Sequence, residues 1–202
     1  MSPPERAFTT LDGLAEHRDE VKGSLFIAYG QRADTTEQVN GLLRSILARH
    51  GDASHLCWAY RIDADYRFSD GGEPGGTAGQ PILRAIEGQG LNHVAVGVIR
   101  YFGGTLLGAG GLMRAYGGAA AEALRTASRI EVLPRIAVAM AAPFEHLGAL
   151  YRLLDQFNAA ERTETYTEQG VRMSVSLLAS DYERFAAALR DATRGQCEVA
   201  PT

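Results

Sequence analysis

Glycine is unevenly spread along this 202-residue chain: fifteen of its 23 glycines fall between Gly71 and Gly118. Glycine reaches backbone conformations closed to other residues and lets two stretches of chain approach closely. A concentration of this kind marks either low-complexity disorder or a folded region built on tight turns. The run His93 to Tyr101 decides between them, because an apolar, β-branched strand pattern passes through the middle of the block. The block is therefore structured.

It contains two loops of different character. The first, Ser69 to Pro81, mixes hydroxyls (Ser69, Thr77) and two carboxylates (Asp70, Glu73) with glycine. The second, Arg100 to Gly111, leaves a strand and enters a helix. Backbone N–H groups at the start of a helix point where the positive end of its dipole points, so Gly108 to Gly111 have the pattern of an anion site. No Gly-Lys-Ser/Thr follows and the dinucleotide fingerprint is incomplete. Glycines needed for close packing explain the local pattern equally well. The helix that follows, from about Gly110 to Thr126, carries Gly111, Ala115, Gly118 and Ala119, so one side has almost no side chain.

The rest of the chain reads as α+β. Ser24 to Tyr29 is strand-like, and Asp34 with Glu37 has the spacing of a capping box ahead of Val39, Leu42, Leu43 and Ile46. Leu56 to Ile62 and Tyr66 to Ser69 read as two strands, and Pro81 suits the first turn of a short helix. Ser128 to Arg135, ending at Pro134, reads as a linker between domains at 1–127 and 135–202. Beyond it come a strand (Ile136 to Ala142), a helix with Leu147, Leu150 and Leu154 on one face, a hairpin about Gln169-Gly170, a second helix and a short closing strand. That order is the ferredoxin-like βαββαβ plan.

Composition excludes several classes. No apolar run is long enough to span a bilayer, and the N-terminus lacks a signal pattern, so a cytoplasmic protein with no membrane partner is expected. The two cysteines, Cys57 and Cys197, form neither a disulfide framework nor a metal pattern, and no metal or cofactor is expected. A net charge of −4 argues against gripping duplex nucleic acid by bulk electrostatics. Nothing points beyond a monomer.

Several stretches together resemble the YigZ/IMPACT family: Lys22-Gly23-Ser24 with Phe26; His55 to Tyr60; Phe68-Ser69-Asp70 with Gly72 to Gly79; Arg100 to Gly104; and Leu107-Gly108 to Gly118. Leu25, Leu56 and Gly71 stand where that family often has a basic residue, a polar residue and a second Asp. The resemblance implies an N-terminal domain similar to ribosomal protein S5 domain 2, followed by a ferredoxin-like domain similar to the last domain of the ribosomal translocase. It also implies a link to translation, because the family's eukaryotic relatives regulate the amino-acid-starvation kinase pathway.

The expected function is thus non-catalytic binding of RNA or of a translation-associated protein, with the ribosome among the partners. The surface expected to carry it comprises Lys22, His55, Ser69, Asp70, Glu73, Thr77, Arg100, Tyr101, Gly103, Gly104, Gly108, Gly110, Gly111 and Arg114. Arginines there suit phosphates, and Tyr101 or Phe102 suits stacking on an unpaired base. Alternatives are a small-molecule or nucleotide site at Gly108 to Gly111, and a thiol enzyme built on Cys57 and His55 with Asp70 or Glu73 as the orienting carboxylate.

Overall fold

The computed structural model describes residues 6–202, which fall into two compact units, one of residues 8–131 and one built on residues 132–202. The first is organised by a five-stranded antiparallel sheet. Ala15–Val21 (β2) and Ser24–Arg32 (β3) form a hairpin whose turn residues, Lys22 and Gly23, both have positive φ (49° and 82°). Such a turn matches the right-handed twist of its strands. His55–Ile62 (β4), Asp65–Ser69 (β5) and Val94–Tyr101 (β6) complete the order β2-β3-β6-β4-β5. β6 is the central strand and buried on both faces, which is why it reads as a continuous apolar run.

Thr36–Arg49 (α1) covers one face, burying Val39, Leu42 and Ile46 against Ile27, Tyr29, Tyr60 and Ile99. Gly79–Gly88 (α2) and Gly108–Thr126 (α3) cover the other. There Ile82, Ile86, Tyr116, Ala119 and Ala123 meet Phe26, Ala28, Cys57, Val96 and Val98. The small residues of α3 bring that helix close to the sheet.

Two sequence expectations are corrected. Thr35, not Asp34, caps α1: its hydroxyl accepts from the Gln38 N–H at 3.3 Å, while Gln38 Oε1 accepts from the Asp34 N–H. The Asp34 carboxylate is taken by His93 Nδ1 at 2.8 Å and Arg32 Nε at 3.0 Å, so it is not free to cap. Within the expected linker, Arg129–Val132 forms strand β7, paired with Phe8–Leu11 (β1) in a two-stranded sheet. Pairing satisfies the backbone groups that the two segments turn toward each other.

The second unit runs Arg135–Pro143 (β8), Leu147–Gln156 (α4), Ala160–Thr167 (β9), Gly170–Leu178 (β10), Tyr182–Ala192 (α5) and Glu198–Pro201 (β11). Its sheet order, β11-β8-β10-β9, is antiparallel throughout and ferredoxin-like. Its core is separate: Val138, Met140, Val171, Met173, Val175 and Leu177 from the sheet meet Leu150, Leu154, Phe185 and Leu189 from the helices. The α+β class read from the sequence is the one observed. Trp58, the single tryptophan, reports on the first unit only. Phe185→Ala should therefore destabilise the second unit by about 3–5 kcal/mol. Urea titration should show the far-UV circular dichroism transition moving to lower denaturant while Trp58 fluorescence keeps its midpoint.

Candidate functional site

The register of the first sheet gathers the distinctive residues at one end. Arg100 lies opposite Phe26 on one side and His55 on the other. It also shares a face with Val96 and Val98, so its side chain turns inward beneath α3 rather than out to solvent. Glu73 reaches down from the first glycine loop to meet it. Arg100 Nη1 donates to Glu73 Oε1 at 2.8 Å, Arg100 Nη2 to Ser24 Oγ at 3.2 Å, and the Tyr116 hydroxyl to the same Glu73 oxygen at 2.8 Å. His55 Nε2 stands 4.0 Å from that oxygen. Both charged side chains are nearly sealed, at 6% and 4% exposure. The guanidinium also lies over the rings of Phe26 and Phe102, at 5.5 and 5.3 Å.

The loop above is held by Asp70. One carboxylate oxygen accepts from the Gly76 N–H at 2.8 Å, the other from the Ala78 and Gly79 N–H groups at 3.0 and 2.8 Å. The residue at the N-cap of α2, Ala78, has no side chain able to cap, so Asp70 does this work from eight residues away. Burial raises the Asp70 pKa, but the three backbone donors outweigh it and hold the carboxyl below its ordinary value. Thr77 is buried and its hydroxyl donates to Pro74 O, while Ser69 Oγ accepts from the Gly71 N–H. Gly71 has φ +56°, and a Cβ there would lie 2.0 Å from Leu56 O. Only glycine fits, which accounts for its presence in place of a second carboxylate.

Beneath the loop, Cys57 donates to Asp70 O at 2.9 Å and His55 Nδ1 donates to Gly71 O at 3.0 Å. Burial pushes the Cys57 thiol up to about 12, and the Glu73 and Asp70 carboxylates add to the shift. Burial likewise raises the Tyr116 hydroxyl, with the Cys57 thiol and Glu73 contributing. The thiol-enzyme reading needs a thiolate near neutral pH. This environment holds the thiol neutral instead.

The second loop is built differently. Gly103 sits against the Lys22-Gly23 turn so tightly that a Cβ would lie 2.0 Å from the Gly23 carbonyl, and its N–H donates to Ser24 Oγ. This contact seats Gly103 on the β2–β3 turn that contains Lys22. From there the chain runs exposed through Leu106 to α3, whose first turn, Gly108 to Gly111, has no side-chain cap and no acidic residue. The exposed Arg114 folds back over Gly110, its Nη1 3.5 Å from where a Cβ would stand.

Of the residues singled out in the sequence, the structure thus gathers His55, Ser69, Asp70, Glu73, Thr77 and Arg100 into an interior network. Gly103, Gly104, Gly108, Gly110, Gly111 and Arg114 lie along the second loop and the start of α3, and Lys22 lies in the β2–β3 turn on which Gly103 packs. Arg100 does not offer a free fork to a phosphate, because Glu73 and Ser24 occupy it. Tyr101 points to the α1 face, where its hydroxyl meets His50 Nδ1 at 3.0 Å and donates to Asp52 at 3.1 Å. The reading of the sequence missed Ser24 and the Tyr116 hydroxyl as members of the network. Tyr116 carried a signal: a tyrosine on the inward face of a helix needs a partner for its hydroxyl.

Comparison with known proteins places this arrangement. Residues 22–124 match the Impact N-terminal domain, and residues 140–196 match a domain of unknown function (DUF1949). The chain belongs to the IMPACT family. An IMPACT family member from the pol 5′ region of Thermus thermophilus is 44% identical over 180 residues, covering 89% of this chain and 98% of that protein. The IMPACT family member YigZ of Escherichia coli (strain K12) is 34% identical over 186 residues, covering 90% and 91%. A crystal structure of a hypothetical protein superposes with a TM-score of 0.76 at 31% identity, covering 98% of both chains. The network from His55 to Tyr116 lies wholly within the IMPACT domain.

Two measurements check this site. Iodoacetamide should leave Cys57 unlabelled in the native protein at neutral pH and label it readily in denaturant, as a buried thiol with a pKa near 12 requires. A carboxyl whose folded pKa is depressed contributes stability that is present above its unfolded value, 3.8, and lost as pH falls through the lower folded one. Asp70→Asn should therefore destabilise the protein at pH 6, and its difference from wild type in thermal melts should shrink as pH falls below about 4.

Proposed function

We propose that this IMPACT-family chain is a non-catalytic cytoplasmic protein that modulates translation by docking, through the Phe102 to Leu107 loop and the first turns of α3, onto a ribosome-associated protein. One observation carries the reading. Large apolar side chains face solvent there, Leu106 at 86% exposure, Phe102 at 49% and Met113 at 37%. Apolar groups gathered in one stretch and left in water fit a partner that buries them. The loop is anchored at its base, since the Phe102 N–H donates to Ser54 Oγ and Gly103 packs on the Lys22-Gly23 turn. Little ordering entropy then remains to be lost on binding. Groups with reactive potential, Cys57, Tyr116 and Glu73, are turned inward and engaged with one another, which supports binding over catalysis. Among the described residues no helix is long and apolar enough to cross a membrane.

RNA is the second reading, favoured by the uncapped start of α3 and by Arg114 lying over it. Against it stand the net charge of −4 and the engagement of Arg100 and Tyr101 within the protein. Affinity capture from native lysate separates the two. Leu106→Asp combined with Phe102→Ser should reduce recovery of the partner about tenfold, consistent with loss of apolar anchors. Nuclease treatment and Arg114→Ala should have little effect. Capture abolished by nuclease and steeply weakened by salt would transfer the role to RNA.

A further inference from the structure

The sheet of the second unit carries its helices on one face. Alternation along β8 and β10 sends Val138, Met140, Val171, Met173 and Val175 to that face and Ala139, Ala141, Arg172 and Ser174 to the other. The outer face is a shallow concavity of about 590 Å³. Strand register orders it into rows. Glu198, Ala141, Arg172 and Thr165 lie side by side on β11, β8, β10 and β9, and Ala200, Ala139, Ser174 and Thr163 form the next row. Arg172 and Glu198 are exposed, and neither is ion-paired within the described residues.

This surface does not suit nucleic acid. The lining of the concavity offers methyl and hydroxyl groups between one positive and one negative charge, with no ring to stack on a base, and Arg135, further along the same face of β8, is held by Ser176 and the Asn158 carbonyl. It does suit a copy of itself. Strands lie about 4.8 Å apart, so Glu198 and Arg172 stand at equal distances on either side of β8. A twofold axis laid along β8 reverses the strand order of the facing sheet while keeping each row at its own level. Ala141 then meets Ala141, Ala139 meets Ala139, Ala200 meets Ser174, and each Arg172 meets the other copy's Glu198. The contact is isologous and closes on itself.

We propose that the outer face of the ferredoxin-like sheet is a homodimer interface, closed about a twofold axis along β8 by reciprocal Arg172–Glu198 pairs across a seam of alanine, serine and threonine. This departs from the monomer expected from composition, and it is independent of the docking role of the first unit. Four strands span only about 20 Å, so the dimer is of the weaker, concentration-dependent kind.

Sedimentation equilibrium of the full chain over a concentration series tests it. Wild type should show a monomer–dimer equilibrium. Arg172→Glu and Glu198→Arg alone each place like charges opposite one another twice per dimer and should weaken association about a hundredfold. The double exchange, Arg172→Glu with Glu198→Arg, should restore it. Because both residues are exposed, circular dichroism melts of all three variants should match wild type at concentrations too low for the dimer to form. A wild type that stays monomeric, with or without RNA bound, overturns the proposal. So does a dimer indifferent to the single reversals, or one that the double exchange fails to restore.

Discussion

The first unit depends on a charge pair placed where charges are costly. Removing Glu73 and Arg100 from water costs several kcal/mol for each ion, and their attraction offsets this only when the remaining donors and acceptors are also satisfied. Most are. Glu73 holds Arg100 and Tyr116 on one oxygen, Ser24 takes the second guanidinium nitrogen, and the rings of Phe26 and Phe102 flank the cation. Among the buried side-chain polar atoms of the described residues, Arg100 Nε alone lacks a partner. A pair of this kind contributes little net stability against an apolar substitute, but removing either member strands a buried charge. What it supplies is a fixed position, because Glu73 belongs to the glycine loop, Arg100 to the central strand and Tyr116 to α3. Three elements distant in sequence are tied through one carboxylate.

The two glycine loops divide the work that follows. In the first, polar side chains turn inward: Asp70 caps α2, Glu73 pairs with Arg100, and Thr77 bonds within the loop. In the second, polar anchoring is confined to the base, and the chain beyond Gly103 exposes Leu106 and the bare start of α3. The usual distribution of side chains is thus inverted at this end of the domain, with the ionic chemistry sealed inside and apolar groups left in water. Such an inversion is the feature on which the proposed docking role rests.

Much of this was legible in the sequence. The glycine block, the buried strand through it and the ferredoxin-like order of the second unit all rest on periodicity and turn chemistry, which are local. What was not legible is where competing partners lie in space. Asp34 has the composition of a helix cap, yet His93 lies 59 positions away in sequence and takes the carboxylate, leaving the cap to Thr35. Arg100 illustrates a signal present but outweighed: alternation along β6 sets it on the face of Val96 and Val98, and that pattern implied burial although arginine is seldom buried. Gly71 could be recognised as a departure from the family, but its reason, the Leu56 carbonyl 2.0 Å from a would-be Cβ, exists only in three dimensions.

The two exposed surfaces also bear on each other through numbers rather than shape. The proposed docking site, made of three apolar side chains on one short stretch, is small, well below the area of a stable interface between proteins, and such a site gives weak binding from a single copy. A pair of chains joined through the second unit, as proposed, carries two such sites. Where the partner presents repeated sites, the second contact becomes intramolecular and the overall affinity rises without any new contact at either loop. The proposed self-association through a small-residue sheet face and the proposed docking through a fixed apolar loop then reinforce one another. On that footing occupancy depends steeply on protein concentration.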